Sequence, residues 1–109
     1  MSVICLARLL RDQGKYAEAE PLYRRALQGF EAELGATHPE TLTSVHDLAG
    51  MLHHQGKYAE AEPLCRRALQ GREAARGATH PDTLMSVHGL ASLLHKQGKY
   101  AEAEPLQRG

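Results

Sequence analysis

The sequence predicts an all-α solenoid of antiparallel helix hairpins, and three observations carry that prediction. Ten residues, Gln13 to Leu22, recur unchanged at Gln55 to Leu64 and at Gln97 to Leu106, an offset of 42 residues each time. Apolar residues between these copies recur by threes and fours, the spacing of one helix face. No segment alternates apolar and polar residues with period two, so strands are not expected. Residues 1–42 and 43–84 agree at about 30 of 42 positions. The 109-residue chain therefore reads as one array of units 1–42, 43–84 and a shortened 85–109. Stacked repeats bury their apolar faces only against neighbours, which makes the array the unit of folding.

The first helix of a unit is clearest in the second copy. It opens near His38-Pro39-Glu40, with Pro39 in the first turn, where a missing N–H is no loss, and Glu40 near the positive helix end. Leu42, Val45, Leu48, Ala49 and Leu52 mark its inward face, and Gly56 stops it. The second helix is predicted over Tyr58–Arg76, with Tyr58, Ala61, Leu64, Cys65, Ala68 and Leu69 inward and Gly77 past its end. Pro21, Pro63 and Pro105 fall inside each second helix. A proline there removes a backbone donor and crowds the preceding turn, so a distorted first turn is expected.

Composition narrows the function. Charged residues make up 24% and hydrophobic ones 42%, ordinary globular usage that argues against wholesale disorder. Thirteen Lys and Arg balance thirteen Asp and Glu, without the basic excess of a nucleic-acid binder or a polybasic membrane anchor. No apolar run reaches the length of a membrane helix. The run Val3–Ala7 has no basic region before it and meets Arg8 and Arg11 at once, unlike a signal peptide. Cys5 and Cys65 form no metal-type spacing and no disulfide framework. A soluble, cytoplasmic protein with neither nucleic acid nor membrane as partner is the expectation.

Leu6-Ala7, Leu10, Gly14 to Leu27, Gly35 and His38-Pro39-Glu40-Thr41-Leu42 form a pattern that resembles the 42-residue tetratricopeptide repeats of kinesin light chain and nephrocystin-like proteins. Period alone also accommodates HEAT-like helix pairs; the Gly-Lys-Tyr motif decides. The resemblance spans essentially the whole chain. It implies a right-handed superhelix whose first helices line a concave groove that takes peptide segments of other proteins. It also implies that Ala7, Ala19 and Ala26 are small because helices approach closely there, with Leu10, Tyr16 and Leu27 filling the interface. That family usually places two asparagines just before the Leu-Ala. Those positions are Ile4-Cys5, His46-Asp47 and His88-Gly89, and the chain contains no asparagine, so the family's peptide-backbone clamp does not carry over.

Function is expected where the copies differ, on the face opposite the inward stripe of each first helix. That face carries Met1, Ile4, Arg8, Arg11 and Asp12, then Thr43, His46, Gly50, His53 and His54, then Met85, His88, Ser92, His95 and Lys96. Five of the seven histidines fall there, with two arginines and a lysine against Asp12. A locally basic groove favours an acidic peptide, with Arg8, Arg11 and Lys96 as fixed charges and histidines that gain charge below about pH 6.5. The alternative is a polar helix face that drifts freely and binds nothing in particular.

A metal site is not expected. His46 and His53, like His88 and His95, are seven residues apart, whereas one helix presents two metal ligands at i and i+4. Cross-helix ligation by His53 and His95 is conceivable, yet no cysteine or carboxylate obviously completes the set. His38 and His80 read as capping or packing residues of the Thr-His-Pro turn. No nucleophile elbow, phosphate loop or paired catalytic carboxylates are evident, so neither an enzyme nor a cofactor is expected. Glu18, Glu20, Glu60, Glu62, Glu102 and Glu104 suit helix starts, and Glu20 with Arg24 forms an i,i+4 pair. Phe30 and Leu34 become Arg72 and Arg76 in the second copy, which predicts a weaker seam between units two and three, and Cys65 in place of Tyr23 a looser one. Neither end shows a polar cap, which leaves two expectations: a fragment or short copy of a longer array, or end-to-end association, Tyr100–Leu106 of one chain covering Val3–Leu10 of another.

Overall fold

The computed structural model describes residues 3–99. Five helices follow in order: α1 (Val3–Asp12), α2 (Tyr16–Leu34), α3 (Pro39–His54), α4 (Tyr58–Arg76) and α5 (Pro81–Lys96). No strand occurs among the described residues. Each helix packs on the next, and α3 also meets α5. Two hairpins and a fifth helix thus stack in chain order, the layering of an all-α solenoid.

Local chemistry sets the boundaries. His38 and His80 are N-caps: their Nδ1 atoms accept from Glu40 N–H and Asp82 N–H, each at 3.1 Å. They thereby satisfy one of the donors a helix start leaves unpaired. Pro39 and Pro81 stand next in the first turn. The long helices α2 and α4 close at Gly35 (φ +93°) and Gly77 (φ +89°), where a side chain would strain the backbone. Both helices run unbroken through Pro21 and Pro63. Each proline is the sixth residue of its helix, so the carbonyl it leaves without an intrahelical partner lies in the first turn, close to solvent. Pro105 lies outside the described residues.

The inward stripe of α3 is buried as its spacing predicts, through Leu42, Val45, Leu48, Ala49 and Leu52. Thr41, Ser44 and Met51 are buried too, because α3 is covered by helices on both sides. Ala7, Ala19, Ala61 and Ala68 have no exposed surface, which lets the helices approach closely. These residues join Tyr23, Leu27, Val45, Leu48, Met51, Leu52 and Leu93 in one core, and a smaller cluster of Leu69, Leu90 and Leu94 packs with Cys65 and Val87.

Candidate functional site

The face predicted to form a groove draws on α1, α3 and α5, and its character changes along the array. Between α1 and α3 lies a hollow of about 260 Å³ lined by Ile4, Arg8, Phe30, Glu40, Thr43, Ser44 and Asp47. Arg8 Nη2 stands 3.9 Å from Asp47 Oδ2. Arg11 turns to its own neighbour, Nη2 lying 3.3 Å from Asp12 Oδ1. Burial raises the Asp47 pKa above the ordinary carboxylate value; His46, Arg8, Arg11 and Arg72 oppose that rise without cancelling it. This end of the groove is therefore mixed in charge, and its two arginines are matched by nearby acids.

Between α3 and α5 lies a larger hollow of about 550 Å³, lined by His46, Pro81, Leu84, Met85, His88 and Gly89. Leu84 and Met85 are 45% and 54% exposed, high values for large apolar side chains. Gly89 stands beside His46, where a Cβ would make ordinary van der Waals contact with the imidazole at 3.7 Å. Burial lowers the pKa of His46, and the Arg72 guanidinium lowers it further against the opposing pull of Asp47. His46 accordingly resists protonation at the ordinary histidine value.

The structure divides the other predicted groove residues. Gly50 is open, with no atom within 4 Å of where a Cβ would stand. Ser92 is half-buried on α5, and His95 and Lys96 are exposed at the end of that helix. His53 and His54 are drawn into aromatic packing. His54 stacks on Tyr16 with ring centroids 5.0 Å apart and planes 7° from parallel, while His53 meets Tyr58 edge-on at 5.4 Å. Burial lowers the His53 pKa, helped by His54 and Lys96. Met1 lies outside the described residues. No three His, Cys, Asp or Glu side chains gather as a metal set among the described residues.

Two residues near this face lie outside the predicted groove set. Asp47 follows His46 directly, and only the stacking of the helices brings its carboxylate within 3.9 Å of the Arg8 guanidinium. Arg72 replaces Phe30 and is buried instead of projecting into solvent, its Nη1 donating to Ser86 Oγ at 3.0 Å and to the Asp82 carbonyl at 3.2 Å. Burial lowers its pKa while Asp82 and Asp47 favour its charge. Arg76 Nε adds a contact to Asp82 Oδ2 at 3.7 Å. The polar substitutions expected to loosen this seam thus bridge it.

No helix among the described residues is long and apolar enough to cross a membrane. The tetratricopeptide repeat profile matches residues 1–53 and 44–108. A comparison with curated proteins gives no match. Among solved structures, the chain is similar to the nearly identical TPR-like repeats of a kinesin light chain-type protein from Podosopora anserina. The TM-score is 0.87 at 30% identity, over 96% of this chain and 50% of that one. A single-substitution variant of the same protein gives 0.81 at 29% identity, over 97% and 50%. BtubC from P. vanneervenii gives 0.87 at 22% identity, over 95% and 42%, a likeness of fold alone. This chain thus spans half the length of the P. anserina chain. Tetratricopeptide repeats generally mediate protein–protein interaction and form a non-enzymatic scaffold. By the profile and by its kinesin light chain-like neighbours, the chain belongs to the tetratricopeptide repeat family.

Proposed function

We propose that the groove binds a peptide segment of a partner protein, seating an apolar side chain in the hollow between α3 and α5. The observation that carries this reading is the hollow itself, about 550 Å³ and faced by Leu84 and Met85. An exposed apolar concavity with a few convergent polar groups is the usual form of a binding site. His46 and His88 supply those groups. An acidic residue of the peptide is favoured toward His88 and Lys96, because Arg8 and Arg11 already face Asp47 and Asp12. Ile4, Arg8, Thr43 and Asp47 form a second contact area of mixed polar and apolar character.

The test is capture from an immobilised peptide library in which leucine is flanked by aspartate or glutamate. Met85→Glu is expected to abolish capture with helicity intact, because it places a carboxylate where the anchor sits. Arg8→Glu is expected to change capture far less. Equal capture by the Met85→Glu variant and the parent chain would overturn the proposal.

A further inference from the structure

The two seams inside the chain share one set of contacts. Across the first, Glu20 of α2 accepts from Gln55 Nε2 at 2.7 Å and Lys57 Nζ at 3.3 Å. Across the second, Glu62 of α4 accepts from Gln97 Nε2 and Lys99 Nζ, both at 3.0 Å. Both donor pairs sit in the Gln-Gly-Lys turn that follows a first helix. Burial opposes the charge of Glu20, yet hydrogen bonds from Gln55, Arg24 and Lys57 outweigh it and lower its pKa. The hydrogen bond from Lys99 dominates at Glu62, in the same direction. Beside each clasp lies an apolar pair covered to 2% exposure or less, Leu48 with Met51 and Leu90 with Leu93.

The flank of α1 carries the same set with nothing on it among the described residues. Leu6 and Leu9, in the places of Leu48 and Met51, are 39% and 45% exposed. Gln13 and Lys15, in the places of Gln55 and Lys57, are exposed, and no side-chain bond or ion pair is made by either among the described residues. The segment that fits this flank begins a second helix and carries a glutamate at the Glu20 position. In sequence, Tyr100–Leu106, which lies outside the described residues, repeats Tyr16–Leu22 and Tyr58–Leu64 residue for residue, with Glu104 at that position.

We infer that the α1 flank is the receiving half of a third seam, filled by Tyr100–Leu106 of a second copy of this chain. Glu104 of one copy accepts from Gln13 and Lys15 of the next, and Leu106 lies over Leu9. The same chain cannot fill its own flank. Lys99 is anchored on Glu62, and α1 packs on α2 while α5 packs on α4 and α3, so the two halves lie at opposite ends of the stack. Unlike surfaces meet in this contact, and the rotation of a solenoid does not bring it back on itself, so growth is open-ended. The inference is independent of the groove.

Sedimentation velocity of the full chain against concentration tests it, with circular dichroism on the same samples. Average mass is expected to rise with concentration without stopping at a dimer. Glu104→Lys and Lys15→Glu should each weaken association by roughly tenfold through like-charge contact, and the double swap should restore it. A parent chain that stays monomeric throughout, single swaps that leave the mass unchanged, or a double swap that fails to restore association would each overturn the inference.

Discussion

The seam that α2 makes with α1 and α3 and the seam that α4 makes with α3 and α5 share one 42-residue template, yet different physics closes them. In the first, Tyr23 is fully buried in the main core, with no hydrogen-bond partner for its hydroxyl among the described residues. In the second, Cys65 occupies the same position, half-buried, and the Phe30 position holds a buried arginine that bridges to Ser86 and Asp82. One seam relies on volume and tolerates an orphan hydroxyl. The other relies on the hydrogen bonds of Arg72 around a smaller apolar cluster, and it too holds an orphan hydroxyl among the described residues, Thr83 Oγ1. A repeat can thus change what holds a junction without changing the backbone, and each junction carries the cost of one unpaired buried hydroxyl.

The largest effect expected from this contrast lies at Tyr23 and Cys65. Tyr23→Ala should cost about 3 kcal/mol by leaving a cavity in the main core. Cys65→Ala should cost under about 1 kcal/mol, because a half-buried thiol fills little space. Urea unfolding of both variants measures the difference; similar costs would mean that the two seams are packed alike. The Cys65 thiol is pushed up to about 11 by burial, reinforced by Glu62, so it stays protonated under these conditions.

At Arg72 the two substitutions should part. Arg72→Ala should lose about 1–3 kcal/mol, since Ser86 Oγ and the Asp82 carbonyl lose their partner inside the seam. Arg72→Phe removes the same hydrogen bonds but restores the apolar volume of the first copy, so it should lose less than Arg72→Ala. A large loss for the phenylalanine variant would show that this seam depends on the guanidinium itself.

Gly29 and Gly71 sharpen the comparison at a smaller scale. Each is a helix-interior glycine at the same repeat position. A Cβ at Gly29 would meet nothing within 4 Å, but at Gly71 it would lie 2.7 Å from Leu42 Cδ2. Gly29→Ala should gain about 0.5–1 kcal/mol of helix propensity. Gly71→Ala should forfeit that gain, because the buried Leu42 must shift to admit the methyl group. Thermal midpoints of the two variants should move apart accordingly.

The smallest expected effect is a pH dependence. His46 and His53 titrate below their ordinary value in the folded chain, chiefly because burial disfavours their charged forms. The unfolded chain therefore takes up protons first as pH falls. Their contribution to stability is complete above about pH 6.5 and is lost as pH falls from there through the folded values. The urea midpoint should drop on acidification through that window. Arg72→Phe should soften the drop, since the guanidinium lowers the His46 value. A midpoint independent of pH in this range would show that neither histidine is held neutral by the fold.

Much of the fold was legible in residues 38–77. The His-Pro start, the three-and-four spacing from Leu42 to Leu52 and the glycines at 56 and 77 each report a local backbone preference, so the boundaries of α3 and α4 follow from neighbours in sequence. The groove was legible only in part. His46, His88 and Met85 do share a hollow, but His53 and His54 pack on tyrosines from second helices. Which ring an imidazole meets depends on how two helices cross, and helical periodicity carries no term for that.

The all-α class, the 42-residue register, the helix caps and the inward stripe of each first helix follow from the order of residues, because all of these are set by turn geometry and burial within one repeat. That Arg72 turns inward, that Asp47 faces Arg8, and that the apolar hollow opens between α3 and α5 follow from how the helices pack. Each depends on the residues a neighbouring helix brings within a few ångströms, where desolvation and hydrogen bonding outweigh the average preference of a side chain for water.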